Sequence, residues 1–193
     1  MNELYPIFLK TKELQILLIG GGYVATEKIH FLLKSSPNSQ VTVVAREFSE
    51  DFKKEIQPFS AQIKTIERAF LEEDFEQKDL VICAIDDKQK SAEIYALAKR
   101  RHLLINVADN PPLCDFYLGG IVTKGNLKIA ISTNGKSPTL AKRIREFFED
   151  VFPDDVDELL INLDYYRSKL KFNLQNKIKH LNNITENFKK KGF

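Results

Sequence analysis

The sequence predicts an α/β fold: a Rossmann-type parallel sheet, then a small α+β region, then a helical C-terminal part. Three observations predict it. Strand-length apolar runs alternate with amphipathic stretches from about Leu14 to Val107. The first run, Ile16-Leu17-Leu18-Ile19, ends in Gly20-Gly21-Gly22, and a helical pattern begins at once. Past Pro112 the rhythm gives way to a hairpin signal and then to helical periodicity alone. Domain changes are expected near Pro111 and Pro153, giving parts at 1–112, 113–152 and 153–193.

Tyr5-Pro6-Ile7-Phe8-Leu9 reads as a short extended segment able to pack against a sheet edge before the first strand, Leu14 to Ile19. The helix after the glycines turns Ile29, Leu32 and Leu33 to one face, and Ser35-Ser36-Pro37-Asn38 stops it. Val41 to Ala45 is the second strand. Ser49 is an N-cap, with Glu50 and Asp51 in the first turn behind it. Ile63 to Ile66 is the third strand. Leu80 to Ile85 is wholly apolar, as a central parallel strand should be, and Asp86-Asp87 follows at its C-terminal end. Ser91 to Arg101 is helical, with Ile94, Leu97 and Ala98 inward, and Leu103 to Val107 is the fifth strand. Ile121-Val122-Thr123 and Leu127 to Ser132 flank Lys124-Gly125-Asn126 as a hairpin. Ser137 and Pro138 suit the N-cap and first turn of a helix reaching about Val151, which Pro153 ends. From Asp155 onward Leu159, Leu160, Leu163 and Tyr166, then Leu174, Ile178, Leu181 and Phe188, keep helical spacing.

A chain of 193 residues with 43% apolar content can bury a large core. No apolar run approaches membrane-spanning length, and Met1 to Pro6 lacks the basic start and apolar stretch of a signal peptide. Cys83 and Cys114 are the only cysteines, so no disulfide framework or thiolate metal site is indicated, and a cytoplasmic protein is expected. The net charge of +2 is uneven: Arg167 to Phe193 holds eight basic residues and one acid, leaving 21 basic against 26 acidic residues elsewhere. This segment reads either as a solvated helix face with a Lys189-Lys190-Lys191 tail or as a surface for a polyanion. No aromatic-interleaved basic motif supports nucleic-acid binding.

Gly20, Gly22 and Ala25 fit the G-x-G-x-x-A pattern of dinucleotide-binding turns. Gly20 allows the turn, Gly22 lets a pyrophosphate approach the backbone, and Ala25 lets the helix pack on the strand. Tyr23 and Val24 open the helix whose free N–H groups would face the phosphates. At the end of the second strand, Glu47 is placed to hold the adenosine ribose of NAD, or Arg46 to lie over the adenine or meet a 2′-phosphate; both stand open. Asp109 follows the fifth strand, at the same sheet edge as Gly22, where a carboxylate can take a proton while a hydride leaves. Alone it could equally be a turn aspartate before Pro111-Pro112. Lys136, Lys142, Arg143 and Arg145 gather at a helix start and could hold carboxylates. His30, His102 and His180 show no ligand spacing, so structural or surface roles are expected and no resident metal site.

Three stretches occur together: Gly20 to Ala25 with Lys28; Asn106-Val107-Ala108-Asp109 through Leu113-Cys114-Asp115-Phe116-Tyr117; and Ile131 to Pro138 with Ala141 and Arg143-Ile144-Arg145. This set resembles the precorrin-2 dehydrogenase / sirohydrochlorin ferrochelatase family, and the resemblance runs to about Glu149. It implies a Rossmann NAD domain, a dimerisation and substrate region and a helical domain, working as a homodimer. It implies NAD-dependent oxidation of the tetrapyrrole precorrin-2 to sirohydrochlorin, with insertion of ferrous iron in some members. It makes Asp109 the catalytic aspartate, and places the serine-rich substrate loop at Ser132, Thr133, Lys136 and Ser137, with Arg143 behind it. Asn134 stands where the family often has glycine, Thr133 where a serine is sometimes found, and Gly119-Gly120 where many members carry Pro-Ala. The alternative is a regulatory NAD-binding module that does no chemistry.

Overall fold

The computed structural model describes residues 2–171 and 173–186. Phe188 and the Lys189–Lys191 tail therefore lie outside the described residues. Two compact units emerge. The first runs to Gly119 and takes in Asn134–Lys136; the second comprises Gly120–Thr133 and the chain from Ser137 onward.

The first unit is a five-stranded, all-parallel sheet. Its strands are β1 (Gln15–Ile19), β2 (Gln40–Ala45), β3 (Ile63–Glu67), β4 (Leu80–Cys83) and β5 (Leu104–Val107), in the order β3-β2-β1-β4-β5. The helices are α1 (Tyr23–Ser35), α2 (Glu50–Ile56) and α3 (Lys88–Arg100). The order reverses at β1, which pairs with β2 on one side and β4 on the other. In such sheets the crevice at that reversal, beyond the strands' C-terminal ends, is where ligands bind.

Side chains alternate across a strand, so the apolar runs feed two cores at once. Ile16 and Leu18 join Ile29 and Leu33 of α1 and Phe52 of α2 on one face. Leu17 and Ile19 join Ile94 and Ala98 of α3 on the other. Cys83 is in this second core, 1% exposed, and burial pushes its thiol up to about 11, so it stays neutral and inert.

Most of the expected elements appear within a residue or two. Ser49 caps α2, its side chain accepting from the Phe52 N–H at 3.2 Å. Two differences have physical causes. The helix expected from Ser91 starts a turn earlier, at Lys88, because Asp87 is its N-cap and accepts from the Lys90 N–H at 2.9 Å. Tyr5–Leu9 forms no strand, and Tyr5, Ile7, Phe8 and Leu9 are exposed. The expected packing against the sheet edge is therefore not seen: β3 pairs with β2, and β5 pairs with β4 and bridges to Cys114, neither with this segment.

The second unit holds the hairpin β6 (Gly120–Lys124) and β7 (Leu127–Ile131), then α4 (Pro138–Val151), α5 (Val156–Lys169) and α6 (Leu174–Thr185). Gly125 turns the hairpin at φ +54, and Asp157 at the start of α5 clasps it, accepting from the Asn126 N–H and Nδ2, each at 2.7 Å. Val122 is fully buried there. None of the described residues of α4 or α6 is fully buried.

Candidate functional site

A cleft of about 1000 Å³ opens along the C-terminal ends of the parallel strands, lined by the glycine turn, Arg46, Glu47, Asp86, Asp109 and their neighbours. The volume suits an extended cofactor rather than an ion.

The three glycines answer to different demands. Gly20 has φ +126, and a Cβ on it would lie 2.2 Å from the Ala84 carbonyl oxygen. A Cβ on Gly21 would lie 2.4 Å from the Glu47 carbonyl oxygen. Backbone conformation and packing demand the first, and packing the second. Gly22 differs: its backbone is extended, at φ −93 and ψ −163, and a Cβ on it would meet nothing within 4 Å among the described residues. Neither conformation nor the protein's own atoms require glycine there. A dinucleotide pyrophosphate pressed against the backbone would. The residues thus fit the cofactor.

The start of α1 agrees. Gly22 is its N-cap without a side-chain cap, and no acid stands in the first turn. The leading N–H groups and the helix dipole are left for an anion. Thr26 turns inward instead, its N–H and Oγ1 both donating to the Gly22 carbonyl at 2.9 Å. Tyr23, 82% exposed, and Val24 line the cleft beside the turn. Arg46 and Glu47, both exposed, line it at the end of β2.

Asp109 is exposed and lines the same cleft as Gly22. Its backbone is left-handed, at φ +57, an uncommon state for a residue with a side chain. The tight turn that holds it closes from the Asn110 N–H to the Val107 carbonyl at 3.2 Å. The stretch from Cys114 to Phe116 folds back on β5. Buried Asn106 donates from Nδ2 to the Phe116 carbonyl at 2.8 Å. Asp115 accepts from the Ile105 N–H at 3.0 Å and from Lys99 Nζ at 2.6 Å. The residues between Leu113 and Phe116 thus fasten the chain beside Asp109. Asp86, Lys88, Lys90 and Asn110 also reach the cleft, and residue types alone gave no signal for them beyond their place after β4 or β5.

The loop before α4 is self-fastened. Thr133 Oγ1 donates to the Ser137 carbonyl at 3.0 Å and accepts from the Ser137 N–H at 3.2 Å. Ser137 Oγ caps α4 through the Leu140 N–H at 3.2 Å. Asn134 and Gly135 are both left-handed, at φ +54 and +71, which asparagine tolerates well among residues other than glycine. Ser132 and Lys136 are exposed in the same loop. The cations behind it are partly neutralised: Lys142, Arg143 and Arg145 all reach Glu146, and Arg145 also pairs with Glu149.

The histidines sit in structural settings. His30 Nδ1 meets Glu55 at 3.0 Å. His102, at φ +59, fills the left-handed position after α3, where its N–H donates to the Lys99 carbonyl and that of Leu103 to Ala98. His180 Nε2 lies 2.9 Å from Tyr166 Oη. Among the described residues no group of three or more His, Cys, Asp or Glu side chains could hold a metal ion.

Comparison with known proteins gives the same picture from a second direction. A family model described as "Putative NAD(P)-binding" matches residues 7–120. One described as "Sirohaem biosynthesis protein central" matches residues 124–150. The chain belongs to the NAD(P)-binding family of sirohaem-biosynthesis proteins. A siroheme synthase of Psychromonas ingrahamii is 39% identical over 166 residues, covering 86% of this chain and 34% of that protein. Siroheme synthase 1 of Pectobacterium atrosepticum is 34% identical over 174 residues, covering 90% and 35%. The chain thus spans about a third of the length of these curated relatives. Among solved structures, SirC, a precorrin-2 dehydrogenase, superposes with a TM-score of 0.69 at 26% identity, covering 94% of this chain and 89% of its own. For a member of this family NAD is the cofactor.

Proposed function

We propose that this chain is a precorrin-2 dehydrogenase, oxidising precorrin-2 to sirohydrochlorin in sirohaem biosynthesis with NAD. The observation that carries the reading is Gly22, whose lack of a side chain serves no atom of the protein, in a cleft that also holds Asp109. The likeness to SirC supplies the substrate. The oxidation removes a hydride and a proton from the macrocycle. Bound NAD supplies the hydride acceptor. The chain's own part is to seat the pyrophosphate on Gly22 and the first turn of α1, behind the turn that Gly20 makes, with Tyr23 and Val24 flanking it. Glu47 or Arg46 holds the adenosine end, and the Asp109 carboxylate takes the proton.

The region 113–152 is proposed to bind substrate and to form the homodimer. Ser132, Thr133, Lys136, Ser137 and Arg143 would meet the substrate carboxylates, and the half-exposed Leu140 and Phe147 of α4 would face a second copy. Such residues on a strongly amphipathic helix are what an unfilled interface would show. The cytoplasm is the proposed compartment; among the described residues no helix is long and apolar enough to cross a membrane. Ferrous iron is proposed as a second substrate, inserted into sirohydrochlorin. None of the relatives above speaks for a regulatory module.

The test is direct. Purified protein with precorrin-2 and NAD should give the absorbance of sirohydrochlorin and of reduced nicotinamide together. No NAD-dependent conversion would overturn the reading. Sirohydrochlorin with ferrous iron, assayed alongside, tests iron insertion separately.

A further inference from the structure

Cys114 takes no part in the chemistry above, yet its thiol touches both ends of the turn that presents Asp109. Sγ lies 3.1 Å from the Val107 carbonyl oxygen and 3.3 Å from that of Asn110, so one S–H proton is shared between them. Nδ2 of the buried Asn106 donates to the same sulfur at 3.4 Å. The turn between those two carbonyls holds Ala108 and the left-handed Asp109. A non-glycine residue in that conformation costs of order 1 kcal/mol and persists only where its surroundings over-determine it. Here they do: the backbone bond from Asn110 to Val107, the anchor from the Ala108 N–H to the Cys83 carbonyl at 2.9 Å, and the thiol across the open side.

We infer that Cys114 is a positioning residue for the dehydrogenation: its thiol, oriented by Asn106, clips the turn so that the Asp109 carboxylate stands at the cleft. The inference rests on the proposed role of Asp109. The sulfur is required as a donor, and partial burial supports this by raising the thiol above its usual value and keeping the proton in place. No other side-chain donor bridges the two carbonyls among the described residues. A hydroxyl at the same position would serve; a methyl would not.

The experiment compares the full-length wild type with Cys114→Ala and Cys114→Ser by amide hydrogen exchange and by steady-state kinetics. In Cys114→Ala, exchange over residues 108–113 should quicken about tenfold, the scale of one lost hydrogen bond, while the amides of the glycine turn hold their rates. Its kcat should fall about tenfold with KM for NAD within about twofold, and its pH–rate profile should move, since a loosened base loses alignment rather than binding. Cys114→Ser should restore all three. Should the alanine variant not fold, Cys114→Val, which fills the space without a donor, is read against the serine in the same way. Wild-type exchange in the donorless variant, or a serine variant as impaired as alanine, overturns the inference. A wild type inert toward precorrin-2 defeats the proposed function instead, and exchange then decides the positioning role alone.

Discussion

At position 22 an added methyl meets open space; at position 20 it meets a carbonyl. The two glycines should therefore separate folding from binding. Gly22→Ala should change unfolding free energy by no more than about 0.5 kcal/mol in urea, yet weaken NAD about tenfold or more in a fluorescence titration. Gly20→Ala should cost about 3 kcal/mol of stability, from its positive φ and the clash with Ala84. Asp109 allows an equally clean substitution. Asparagine keeps the left-handed turn that the aspartate occupies but cannot take a proton. Asp109→Asn should lower kcat by about 10²-fold or more with NAD affinity unchanged; full turnover would relieve Asp109 of its role.

Among the elements, α3 ends on a residue poorly suited to its conformation. His102 sits where glycine is favoured, with the paired bonds from His102 to Lys99 and from Leu103 to Ala98 closing the helix. His102→Gly should raise stability by about 1 kcal/mol, read as a higher urea midpoint, since the strain goes and no ligand is lost. The short turn Glu72–Phe75 is held differently. Burial alone would push the Asp74 carboxyl up, but Arg68, at 2.6 and 2.8 Å, and the Leu71 N–H, at 2.9 Å, outweigh it and hold it below its ordinary value. A depressed carboxyl contributes stability that is complete above its unfolded value and lost as pH falls through the folded one. Stability should therefore decline on acidification below about pH 4, and Asp74→Asn should flatten that part of the pH–stability curve.

For the whole molecule the prediction concerns assembly. Phe147, 57% exposed, and Leu140, 52% exposed, lie two turns apart on α4. Sedimentation equilibrium should give about twice the 22.2 kDa chain mass, and Phe147→Glu should return it to the monomer. A wild type that sediments as a monomer at micromolar concentration would remove the dimer.

The sheet was legible because its determinants are local. A four-residue run such as Leu80 to Cys83 has no use outside a doubly covered strand. Ser49 and Ser137 read as caps because a hydroxyl three residues ahead of an N–H is a short-range device. The motif from Leu113 to Tyr117 was visible as letters, but its work was not. Asp115 serves Ile105 and Lys99, ten and sixteen residues away, and Cys114 serves the Asp109 turn. Glu146 reaching three cations, and Asp87 starting α3 a turn early, likewise depend on where side chains meet.

By itself, then, the order of residues determined the strands, the caps and the glycine turn, since each depends on neighbours within a few positions. Only the tertiary structure decided which of these glycines packing requires and which it leaves open. Ala84 and Glu47, whose carbonyls crowd Gly20 and Gly21, follow the ends of other strands, and no atom of the described residues lies within 4 Å of where a Gly22 Cβ would stand.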